Sequence, residues 1–138
     1  MTLPANLPEF GNTAFGTHYR MAGAGRPVLL IHDRGRDLSM WDPLLPHLAP
    51  SLRVIRYDLL GHGRSAKPPG EVGWREWQSQ LELLMSYLKI ADAAVVGLGL
   101  GAELARALTD DRAAVDRHLS AQLETFLTEI AQLAIRAA

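Results

Sequence analysis

The sequence predicts an α/β fold, a short and mostly parallel sheet with flanking helices, on three observations. Apolar runs of strand length alternate with segments of helical spacing through residues 13–108, the pattern of parallel strands joined by right-handed crossovers. Three glycines, Gly97, Gly99 and Gly101, stand at alternate positions between the last apolar run and a helix-like one. Beyond Gly101 neither glycine nor proline occurs, while Leu104, Leu108, Val115, Leu119, Leu123, Phe126, Ile130 and Leu133 keep a helical stripe. The chain is therefore expected to finish in helix.

The elements follow in order. Residues 1–12 carry two prolines and little periodicity and are expected to be an irregular arm. Thr13 to Gly23 reads as a strand ending in a turn. "PVLLIHD", after Arg26, is continuously apolar and suits a buried parallel strand. "LSMWDPLLPHLAP" has helical spacing at Met40, Leu44 and Leu48, with prolines limiting its length. "LRVIRYD" is the third strand and "LLGHGRSAKPPG" a loop. "WREWQSQLELLMSYLKI" places Trp77, Leu81, Leu84 and Leu88 on one face of an amphipathic helix. "DAAVVGL" is the last strand. The polar "TDDR" from Thr109 to Arg112 interrupts the terminal stripe, and an Asp there suits an N-cap between two helices. The whole, 1–138, reads as one domain, with a core over 13–108 and a terminal helix over 109–138.

Composition narrows the functions. A chain of 138 residues, 48% hydrophobic, can bury a real core. Its formal charge of −1 gives no general attraction for nucleic acid or an acidic membrane surface. The absence of cysteine excludes disulfides, thiolate catalysis and thiolate-ligated zinc. "MTLPANLPEF" has no basic run followed by an apolar core, and no run is long enough to span a bilayer, so a cytoplasmic protein is expected. The apolar "AAVVGL", with no lysine or proline to blunt a strand edge, leads us to expect self-association as a homodimer or larger.

The glycine segment admits two chemistries. Gly97-x-Gly99-x-x-Ala102, with Asp116 further on, fits a loose dinucleotide pattern. That pattern should open a β-α-β unit with the acid on its second strand, and helix follows here instead. No cofactor is therefore expected. His32, Asp33, Asp58 and His62 all lie at or just after strand C-termini, where open α/β sheets bind ligands. A metal would need several of them to converge, whereas Gly61-His62-Gly63 reads as turn chemistry. No metal site is assigned. Trp41, Trp74 and Trp77 suit either a pocket wall or the core.

"HYRMAGAGRPVLLIHDRG", "SMWDPLLPHLAPSLRVIRYDLLGHGRSAKPPG" and "VVGLGLGAELARAL", in that order, resemble the N-terminal half of an α/β-hydrolase, closest to the 3-oxoadipate enol-lactonases and their esterase-like relatives. The resemblance implies a nucleophile elbow at Gly97–Gly101, with Gly99 at the position of the serine in G-x-S-x-G. It implies an oxyanion region at Asp33, Arg34 and Leu100, with Asp33 where the family has glycine, and a pocket near His32, Asp58, His62 and Trp41. It also implies further strands and a late histidine; His118 is the sole histidine after the elbow. The expectation is a truncated hydrolase fold whose vacated nucleophile and carboxylate-bearing oxyanion loop make it a degenerate enzyme or binding module for a small ester or lactone. Two alternatives stay open. One is an active carboxylic-ester or lactone hydrolase using water activated by His32, His62 or His118. The other is an engineered or shortened chain made to test folding.

Overall fold

The computed structural model describes residues 10–13, 15–91 and 93–109. Five strands form one sheet: β1 (Phe10–Asn12), β2 (His18–Ala22), β3 (Arg26–Ile31), β4 (Leu52–Tyr57) and β5 (Ala94–Gly97). Their spatial order is β1-β2-β4-β3-β5. β3 runs parallel to both β4 and β5, and β2 and β1 extend the sheet antiparallel. The flanking helices are a 3-10 helix (Leu38–Leu44) continuing into α1 (Leu45–Leu48), then α2 (Trp74–Tyr87) and α3 (Leu100–Thr109).

β3 is apolar throughout because both its faces are covered. Leu29 and Ile31 pack with Tyr19, Ile55, Tyr57, Leu84, Leu88 and Leu104 under α2 and α3. Val28 and Leu30 pack on the other face with Trp41, Leu44, Leu48 and Val54. Strand alternation thus divides one apolar run between two cores. Pro43 lies inside the 3-10 helix and Pro46 in the first turn of α1, which leaves the segment expected to be helical over 38–50 as two short pieces. The N-terminus of α2 is closed by Glu76, whose Oε2 accepts from the Gly73 N–H at 3.0 Å. Its C-terminus is closed by Lys89 at φ 55, with Lys89 N–H on Ser86 O and Ile90 N–H on Met85 O, the paired bonds of a Schellman ending.

Two expectations need correction. Residues 10–12 of the supposed irregular arm form β1, whose Phe10, Gly11 and Asn12 pair with Arg20, Tyr19 and His18; β2 supplies the ladder that three residues cannot specify alone. The strand expected from Thr13 begins at His18, because Thr13 and Thr17 close a turn through Thr17 N–H on Thr13 Oγ1 at 3.0 Å and Thr13 N–H on Thr17 O at 2.9 Å. The helix-like run that the glycines open is α3, Leu100–Thr109, and of the terminal helix expected over 109–138 only Thr109 is among the described residues. The remainder of that call, His118 included, lies outside the described residues.

Candidate functional site

The registers Ile31↔Tyr57 and Ile31↔Gly97 bring the C-terminal ends of β3, β4 and β5 level. His32, Asp58 and Leu98 therefore emerge side by side at one edge of the sheet. β5 turns into α3 through Leu98 and Gly99, and Gly99 sits at φ 56. That left-handed value is the strained conformation of a strand-to-helix elbow, one glycine adopts freely. Gly99 is exposed.

Asp33 occupies this elbow from the facing loop. Its Oδ1 accepts the N–H of Arg34 at 2.7 Å and the N–H of Leu100 at 3.0 Å. These two donors come from different segments and converge on one oxygen. A Cβ placed on Gly99 would fall inside the Asp33 carboxylate, with even the farther oxygen, Oδ2, at 2.6 Å. The carboxylate thus stands where an elbow side chain would begin. The resemblance implies a carboxylate at Asp33 beside the oxyanion region, where it would oppose a developing negative charge. In the structure the carboxylate is itself the negative charge held there. The loop reaches this geometry through a turn, Arg36 N–H on Asp33 O at 3.1 Å, with Gly35 at φ 78, the positive φ that the third residue of a type II turn requires.

The two histidines beside the elbow are engaged by backbone. His32 is fully buried; its Nε2 accepts from Leu59 N–H at 2.9 Å and its Nδ1 lies 2.7 Å from Asp33 O. These partners assign a neutral ring with the proton on Nδ1. His62 repeats the pattern, with Nε2 accepting from Gly35 N–H at 3.0 Å and Nδ1 on Leu60 O at 3.1 Å. Neither ring has a lone pair left to activate water. The proposed water-activating roles of His32 and His62 are therefore not supported by their geometry, because the bonds that shape the loop use the nitrogens a base would need.

Burial holds the His32 pKa below its usual 6.5, with the nearby His62 adding to the depression and the Asp33 carbonyl opposing it. The unfolded chain therefore takes up the proton first as pH falls. The stability contributed by neutral His32 is fully present above about pH 6.5 and is lost as pH drops toward the folded value. His18 has the same sign, again led by burial. Urea melts between about pH 7.5 and 5.5 should show a falling midpoint, and His32→Gln should flatten part of that slope; an unchanged slope would remove His32 as a cause.

The other expected pocket residues are structural. Asp58 is 2% exposed, and its two oxygens accept Leu38 N–H at 2.8 Å and Arg64 N–H at 2.9 Å. It ties the Gly-His-Gly loop to the 3-10 helix. Trp41 is fully buried in the core beneath that helix rather than lining a pocket, because the helix turns its apolar side to the sheet. Arg34 lies over Trp77, with its guanidinium carbon 5.0 Å from the ring centroid. Trp77 in turn donates from Nε1 to Leu60 O at 3.1 Å.

Sequence reasoning missed Ser65 and Gln80. Ser65 Oγ donates to Asp58 O at 2.6 Å and accepts from His18 N–H at 2.9 Å. Gln80 accepts from Leu60 N–H at 2.9 Å and donates to Asp58 O at 2.9 Å and Thr17 Oγ1 at 3.0 Å. A signal for Gln80 existed: it interrupts the apolar face of α2 three residues after Trp77, where an amide survives only with buried partners. Among the described residues no group of three or more His, Asp or Glu could hold a metal ion. No described helix is long and apolar enough to cross a membrane. A recess of about 500 Å³ lies between α2 and α3, lined in part by Leu81, Met85, Ile90 and Leu104, away from the elbow.

An elbow at the end of the third parallel strand, faced by a paired N–H site, defines the hydrolase class of α/β fold. The model of the α/β hydrolase family matches residues 28–134, and the chain belongs to that family. It is 34% identical over 116 residues to the 2-hydroxymuconate semialdehyde hydrolase of Pseudomonas sp. (strain CF600), covering 78% of this chain and 41% of that protein. Among solved structures, the enol-lactonase from Burkholderia xenovorans LB400 superposes with a TM-score of 0.65 at 33% identity, over 75% of this chain and 42% of that one. A loop variant of haloalkane dehalogenase from Bradyrhizobium elkanii gives 0.69 at 28%, over 75% and 35%. The chain thus spans well under half the length of these relatives.

Proposed function

We propose that this chain is a hydrolase-fold protein without serine-type acyl transfer, a degenerate member that recognises small esters or lactones rather than turning them over. The observation that carries this reading is the Asp33 carboxylate on the N–H groups of Arg34 and Leu100, over the side-chain-free Gly99. Acyl transfer needs a nucleophile and an empty pair of donors for the developing oxyanion. Gly99 offers no nucleophile, and the donors already hold an anion. Removing one such donor from an active enzyme costs on the order of 10²–10³ in turnover; here both are occupied. The lactone in that ligand class follows the name of one solved relative, an enol-lactonase.

The test is intact mass after exposure to a serine-directed fluorophosphonate, with p-nitrophenyl ester hydrolysis measured alongside. The expected result is no adduct and no hydrolysis above buffer. An adduct on Ser39, Ser51, Ser65, Ser79, Ser86 or Ser120 would mean that a serine nucleophile stands elsewhere, and the reading would be wrong.

A further inference from the structure

We propose that residues 115–133 fold back within the same chain and lay their apolar stripe in the recess between α2 and α3. Those residues lie outside the described ones, and three features of the molecule point them to the recess. None involves the elbow, so the docking stands whether or not the elbow is catalytic.

The recess itself has an apolar floor. Leu81 and Met85 of α2, Ile90 beyond it and Leu104 of α3 are buried there, and Leu108 is half-buried. The exposed Glu82 and Ser86 stand at its rim. A floor of this kind with a polar rim suits the apolar face of a third helix. The wall on α2 runs from Gln78 to Ser86, about 12 Å of helix.

α3 delivers the chain to this place. Ala107 and Leu108 line the recess, and Thr109 is the last residue of the helix. The lining on α3 runs back from there to Leu104, so a segment that follows it runs antiparallel to α3. Residues 110–114, "DDRAA", have the length of a connection between neighbouring helices, about 2–8 residues.

The stripe matches the recess in length. Leu119, Leu123 and Phe126 stand at helical spacing over about 11 Å, with Val115 before them and Ile130 and Leu133 after. Gln122, Glu124 and Glu129 fall between the stripe positions, and neither glycine nor proline interrupts the run. The short tether selects the same chain over a second copy. It holds the stripe at an effective concentration on the order of millimolar, well above a micromolar solution of the chain.

The whole chain has no cysteine, so Ser86→Cys takes a single nitroxide spin label at the rim. Amide signals of residues 119–130 are then compared with the label oxidised and reduced. We expect them to lose most of their intensity with the oxidised label. Pro46→Cys, exposed on α1 across the sheet, should leave them nearly unchanged. Mixing isotope-labelled chain without the nitroxide and nitroxide-labelled chain without the isotope should also leave them unchanged. Full intensity with the label at residue 86 would overturn the proposal. A greater loss from residue 46 would do so too, by placing the segment on the other face of the sheet. Loss in the mixed sample would overturn it in favour of a second copy as the occupant.

Discussion

Replacing Gly101 by alanine is expected to destabilise the fold by about 3 kcal/mol or more. Helix propensity argues the other way. Gly101 lies in the first turn of α3, where alanine is favoured over glycine by up to about 1 kcal/mol. Packing decides the sign. A Cβ on Gly101 would overlap Ile31 O and lie 2.6 Å from Ile31 C and 2.7 Å from His32 O. These are backbone atoms at the end of β3, so no side chain can swing aside. The helix would have to lift from the sheet, uncovering Leu100 and Leu104, which are buried against it. Gly35→Ala is the control. It has positive φ but nothing within 4 Å of an added Cβ, so only the conformational penalty, about 1 kcal/mol, applies. Urea unfolding of the two variants should separate them clearly. A Gly101→Ala chain as stable as Gly35→Ala would show that the α3–β3 contact is looser than described.

This contact explains much of what was legible in the sequence and what was not. Alternate glycines between a strand and a helix announced a tight elbow, since residues 97 and 101 have no room for side chains where α3 meets the sheet. β3 and β4 were legible for a simpler reason: strands covered on both faces are written as apolar runs. β1 was not, because three residues carry no period and take their order from β2. At the site, the residue types near the elbow could be read, but their directions could not. Asp33 was marked by its position beside the oxyanion region. That its side chain turns back onto the N–H groups of Arg34 and Leu100 depends on the Gly35 turn and on the space left by Gly99, a coincidence of two segments 66 residues apart in the chain. His32 and His62 were equally visible, yet their chemistry is set by which backbone groups reach their nitrogens.

The same coupling gives the second large effect. Gly99→Ser alone is expected to lower stability by about 2 kcal/mol, combining left-handed strain for a residue with a Cβ and the loss of charge-assisted hydrogen bonds when the Asp33 carboxylate is pushed out. The carboxylate is the end of a flexible side chain and can move, so the variant should fold. Asp33→Gly alone should cost less, about 1 kcal/mol, because water can reach the two N–H groups at this open elbow. Combining them removes the collision, and the double variant should be more stable than the sum of the single effects by about 1 kcal/mol or more. Four urea melts complete the cycle. Effects that add within about 0.5 kcal/mol would mean that Asp33 does not fill the elbow in solution. The double variant restores a serine and an empty pair of donors, yet it should remain a poor esterase. A serine hydroxyl needs a base, and both described histidines near it donate and accept with backbone groups. Turnover on the order of 10 per second, ordinary for an enzyme, would require a base supplied from elsewhere in the chain. His118→Ala in the double variant would then identify or eliminate the one remaining histidine downstream of the elbow.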